Sequence, residues 1–86
     1  MTHELKILPE YFDLVTSREK TFEIRKNDRD YHVGDTLILK EWDGEKYTGR
    51  LVILYVNYII YGGQHGLKDG YCIMDLKISN VKAVLD

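Results

Sequence analysis

The sequence predicts a mostly β domain, a small, partly closed barrel of five to six strands with one or two short helices. Runs of alternating apolar and polar residues recur along the chain, as in "KTFEIRK" and "TLILKEW", and this is the period of a strand. The longest apolar run, "LVILYVNYIIY" from Leu51 to Tyr61, is rich in β-branched and aromatic types. It reads as a central strand covered on both faces. One early segment alone, "EYFDLVTS", has helical spacing. With 86 residues there is length for a single domain, residues 1–86. A barrel is favoured because so short a chain has little with which to cover sheet edges.

Each element follows from local chemistry. In "HELKI" Leu5 and Ile7 lie two apart, a short strand that Pro9 closes, because proline cannot donate to a ladder. Pro9 suits a helix start, and Tyr11, Phe12, Leu14 and Val15 then fall at helical spacing over about two turns. "KTFEIRK" puts Phe22 and Ile24 on one face, expected to be the core face, and Thr21, Glu23 and Arg25 on the other. "NDRDYHVGD" is a turn-rich connection, "TLILKEW" the next strand, and Asp43-Gly44 a hairpin signal. "GGQHGLKDG", with four glycines in nine residues, is a loop. "YCIMDLKI" is the last long strand, with a short edge piece expected in "NVKAVLD" and antiparallel hairpins as the main connections.

Composition narrows the function classes. The formal net charge of −2 argues against a general nucleic-acid coat protein, so any phosphate binding must use a local patch. Cys72 is the single cysteine, which excludes an intrachain disulfide and fits a reducing compartment. "MTHELKIL" lacks the basic start and long apolar run of a leader, and no stretch is apolar enough to span a membrane, so a soluble cytoplasmic protein is expected. His3, His32, His65 and Cys72 fall at no metal-ligand spacing.

The candidate chemistry centres on Glu23 and Arg25. Two apart on a strand, they are close enough to meet or to hold one ligand between them. An arginine fork binds phosphate or carboxylate, and a neighbouring carboxylate orients it or accepts from a base edge or ribose hydroxyl. The alternative is a surface ion pair worth about 0–1 kcal/mol. Lys20 shares parity with Phe22 and joins the pair only if the chain is still turning at Arg18 to Lys20. "KNDRD" is a candidate anion-binding turn, Arg29 and backbone N–H groups facing a phosphate with Lys26 and Asn27 beside them, or else a solvated loop. Thr21 shares the Glu23 face, and His65, in the glycine-rich loop, either lines a cleft or is simply an exposed loop histidine. The seven tyrosines are stacking platforms for bases or barrel residues with a wet hydroxyl.

Nearly the whole chain, and "KTFEIRKNDR…VGD" most specifically, resembles the ASCH (activating signal cointegrator homology) domains, in particular a short bacterial and phage branch of unknown function. The resemblance implies a PUA-like barrel with a cleft beside the early helix. That cleft is lined by a Gly-x-Lys-x-x-Glu-x-Arg motif, which falls here on Lys20, Glu23 and Arg25. Arg18 stands where the motif has glycine, at a position suited to a left-handed helix exit. The implied partner is RNA or a nucleotide; no cofactor, metal or membrane is expected, and the oligomeric state is left open. Some ASCH relatives resemble amidohydrolases acting on acetylated cytidine through a lysine, a threonine and a glutamate. Of these only the lysine carries over, as Lys20, so a hydrolase of modified nucleosides or RNA using Lys20 and Glu23 is the alternative. In a second alternative the motif only braces the fold.

Overall fold

The computed structural model describes residues 1 to 83. Five strands and one helix follow in the order β1 (Thr2–Ile7), α1 (Pro9–Thr16), β2 (Phe22–Lys26), β3 (Thr36–Trp42), β4 (Tyr47–Tyr61) and β5 (Tyr71–Ala83). They form one sheet ordered β1-β3-β4-β5-β2. β4 is central, as its composition predicts. "NVKAVLD" is not a separate edge strand: β5 runs unbroken to Ala83, and the last three residues lie outside those described.

Two connections depart from the expected hairpins. β1 pairs with β3 in parallel, Leu5 opposite Leu39, and β2 pairs antiparallel with β5 at the far end of the sheet. The two end strands are consecutive but for the short helix, so the sheet has to curl to bring them together. Laid flat, four strand spacings would separate β1 from β2 by about 19 Å. In the fold the Arg25 side chain on β2 reaches the Lys6 carbonyl on β1 at 2.9 Å, and Arg29 reaches the Glu4 carbonyl at 3.0 Å. The result is a curled half-barrel whose seam, between β1 and β2, is bridged by guanidinium groups instead of a ladder.

Bulges allow the long strands to bend. Ser79 on β5 and Asn57 on β4 have no opposite residue in the β4–β5 register. The Asn57 bulge also switches parity, so that Val52, Leu54 and Val56 and then Ile59 point inward, whereas Tyr55, Asn57 and Tyr58 are exposed. The expectation of two covered faces on β4 therefore fails. One face is core, and the other is the outside of the curl.

β2 inverts its expected orientation. Phe22 and Ile24 are 42% and 53% exposed, and Glu23 is 4% exposed. The register explains it: Glu23 lies opposite Met74 and Arg25 opposite Cys72, and residues opposite one another share a face. Met74, Cys72 and Leu76 are core, so β2 must turn its charged residues inward. Among the described residues no helix is long and apolar enough to cross a membrane.

Candidate functional site

The helix exit sets up the site. Arg18 adopts φ 66°, its amide bonded to the Val15 carbonyl at 3.1 Å and that of Lys20 to the Leu14 carbonyl at 3.0 Å. This left-handed exit from α1 satisfies the last carbonyls of the helix and swings the chain round before β2 begins. Lys20 is thereby brought to Glu23, Nζ donating to Oε1 at 2.6 Å, while Arg25 Nε donates to Oε2 at 2.9 Å. The condition on which Lys20 joins the pair is met at Arg18.

Glu23 thus has each oxygen committed to a cation, and no buried side-chain polar atom among the described residues lacks a partner. A carboxylate this deep requires such pairing. Lys20 and Arg25 keep side-chain exposures of 21% and 27%, so both cations face outward from a buried anion.

Above them opens a cleft of about 460 Å³ along the seam, within the usual size range of small-molecule sites. Its charged walls are Lys6, Lys20, Arg25 and Lys26, four cations against the one carboxylate of Glu23. Tyr11 from α1 and Phe22 from β2 add exposed aromatic surface, with Lys20 Nζ 5.8 Å and 5.3 Å from their ring centroids. Lys6 rests its ammonium 4.0 Å over Trp42. The main chain of β2 contributes as well. Thr21 and Asn27 bond to Leu76 and Gly70 of the neighbouring strand and its turn, which sets the alternation: the N–H and C=O of Ile24 point away from β5, toward the cleft.

The remaining predicted site residues disperse. Thr21 lies not in this cleft but in a neighbouring one. Asn27 accepts the Tyr31 amide at 3.1 Å and Arg29 is spent on the Glu4 carbonyl, so "KNDRD" is a folded corner whose arginine caps an edge strand. His65, at φ 52° in the glycine-rich loop, lines neither cleft. Sequence reasoning missed Lys6 and Tyr11, because only the curl of the sheet carries them to the motif. It also missed two buried polar clusters. Asp35 accepts from His3 Nε2 at 2.8 Å, from the His32 amide at 2.9 Å and from the amino terminus at 3.1 Å. Burial pushes its carboxyl upward, but these donors outweigh it and hold the pKa down at about 2. Glu41 is held below the usual carboxylate range chiefly by the Arg50 guanidinium and also by the Thr48 hydroxyl; burial opposes both. Arg50 also reaches Asp13 at 3.3 Å and sets its guanidinium carbon 4.5 Å over the Phe12 ring, tying α1 to the sheet. Among the described residues no group of three or more His, Cys, Asp or Glu is placed to hold a metal.

Fold and site together define a class: a small curled-sheet domain with a cationic cleft at its open seam. The chain belongs to the family described as a domain of unknown function (DUF3850), whose model matches residues 2–76. It is also similar to an "Uncharacterized 12.9 kDa protein in GpA 3'region" of Escherichia phage P2, 54% identical over 50 residues. That match covers 58% of this chain and 46% of the phage protein, so the chain spans about half the length of its curated relative.

Proposed function

We propose that the domain binds a nucleotide or RNA in the seam cleft, as a binding module and not as an enzyme. The observation that carries this reading is charge: a chain of net charge −2 gathers four cations around one neutralised carboxylate, beside exposed aromatic rings. Phosphate meets Arg25 and Lys20, a base lies against Tyr11 or Phe22, and the outward main-chain groups of Ile24 offer one donor and one acceptor to its edge. Glu23 positions the two cations. Each of its oxygens already accepts from a cation, so it is placed to orient those cations and not to meet a reacting group, which weighs against the hydrolytic alternative. The resemblance to ASCH domains, and a PUA-like reading of the curled sheet, support the same ligand class. The unpaired, buried Cys72 is consistent with a cytoplasmic setting.

Titration of the isotope-labelled protein with nucleoside monophosphates and short RNAs at two salt concentrations tests this. Amides of Lys20 to Lys26 should shift, with affinity falling as salt rises. Lys26→Ala, at an exposed cleft residue, should weaken binding without lowering the melting temperature. Absence of any shift at millimolar ligand, or an effect of Arg25→Ala on melting alone, would leave the motif as a brace of the fold.

A further inference from the structure

On the other side of Lys20 lies a second cleft, of about 370 Å³, between the α1–β2 turn and the β4–β5 pair. Its polar walls are Arg18, Lys20, Thr21, Asn57, Asp75 and Lys77, and Lys20 lines both clefts. Again the cations, three here, outnumber the carboxylate, Asp75.

Two of these residues sit at backbone irregularities. Arg18 holds a left-handed conformation that is unfavourable for any residue with a Cβ. Asn57 is the unopposed residue of a bulge, since Val56 faces Leu76 and Tyr58 faces Asp75. Bulges re-aim side chains, and such local strain gathers at binding sites. Arg18, Asn57 and Lys77 are exposed. Among the described residues neither Arg18 nor Lys77 takes part in an ion pair, unlike Lys20, Arg25 and Arg50. The second cleft therefore offers cations that the fold does not itself use.

We infer that the ligand is a single-stranded oligonucleotide that crosses from the first cleft to the second over Lys20, its next phosphate received by Arg18 and Lys77. The inference rests on the nucleotide reading of the first cleft. Lys20 is the shared point: a strand entering at Arg25 passes its ammonium before reaching either cation of the second cleft. Asn57 supplies an amide donor and acceptor for the base or sugar that follows.

The test compares uridine 5′-monophosphate with 5′-phosphorylated tetrauridylate, by calorimetry or anisotropy, in wild type and in the Arg18→Gly/Lys77→Ala double variant. Both substitutions suit the fold, one placing glycine at a left-handed position and the other trimming an exposed side chain. The tetranucleotide should bind at least about ten-fold more tightly than the monophosphate to wild type. The double variant should lose that gain, keep its affinity for the monophosphate, and show a salt slope shallower by roughly 0.7 for the phosphate contact removed. Equal affinities for the two ligands, or a gain that survives the double variant, overturns the path across Lys20 while the mononucleotide reading stands. If the monophosphate does not bind either, both fall together.

Discussion

At the scale of single residues, Glu23 holds the two cations of the site and Arg18 lends the turn before it only its backbone, and each makes a separable prediction. Glu23 neutralises Lys20 and Arg25 from beneath. Glu23→Gln removes the charge but keeps the shape, leaving two partly buried cations without their counter-ion. Stability should fall by about 1–3 kcal/mol in urea melts, whereas affinity for an anion should hold or rise because the cleft becomes more positive. Loss of nucleotide binding in a well-folded Glu23→Gln protein would instead show that the hold of the carboxylate on the two cations is needed for the ligand, outweighing the gain in positive charge. Arg18 is the opposite case, a residue whose backbone works against its identity. Arg18→Gly relieves a left-handed Cβ, partly offset by glycine's freedom in the unfolded chain, and should raise stability by up to about 1 kcal/mol. A fall in the denaturation midpoint would mean that the guanidinium holds the turn.

At the scale of elements, β2 shows what alternation can and cannot say. Its period marks a strand correctly, but period does not choose the face, and a one-residue change of register exchanges the two. The choice was made by β5, whose Cys72, Met74 and Leu76 are core and whose register places Glu23 and Arg25 beside them. Ile24→Thr should accordingly cost under about 1 kcal/mol, as at exposed positions, whereas Met74→Ala on the adjoining strand should cost roughly 2–5 kcal/mol. A core-sized loss at Ile24 would contradict the inverted face. Elements with local signals were legible in the same way: the strand ended by Pro9, the two-turn helix, the Asp43-Gly44 hairpin and the central strand from Leu51. What depends on distant partners was not. The parallel β1–β3 pairing joins residues 34 apart in sequence, as at Thr2 and Thr36, and the His3–Asp35 and Glu41–Arg50 pairs follow from registers that only the assembled sheet defines. The same limit applied to the site. Lys20, Glu23 and Arg25 could be grouped from one strand and one turn, whereas Lys6 and Tyr11 could not.

At the scale of the whole molecule, stability couples to pH through the polar interior that closes this half-barrel. Asp35 joins the start of β1 to the turn before β3, and its carboxyl is held at about 2 against an ordinary 3.8. A carboxylate depressed in the folded state contributes stability above its unfolded pKa and loses it as pH falls toward the folded value. The window therefore runs from about pH 4 down to about pH 2, and the shift corresponds to roughly 2 kcal/mol. Glu41 is depressed too, by Arg50 first, and adds a loss of the same sign over acidic pH. Urea midpoints should be flat from pH 7 to pH 5 and then decline steeply. Asp35→Asn should be less stable than wild type at pH 7 and should decline less between pH 4 and pH 2, so that the two curves converge in acid. Parallel curves would remove Asp35 from the acid transition and assign it to Glu41 and the remaining carboxylates, in which case Arg50→Met, which takes away the partner of Glu41, should flatten the slope instead.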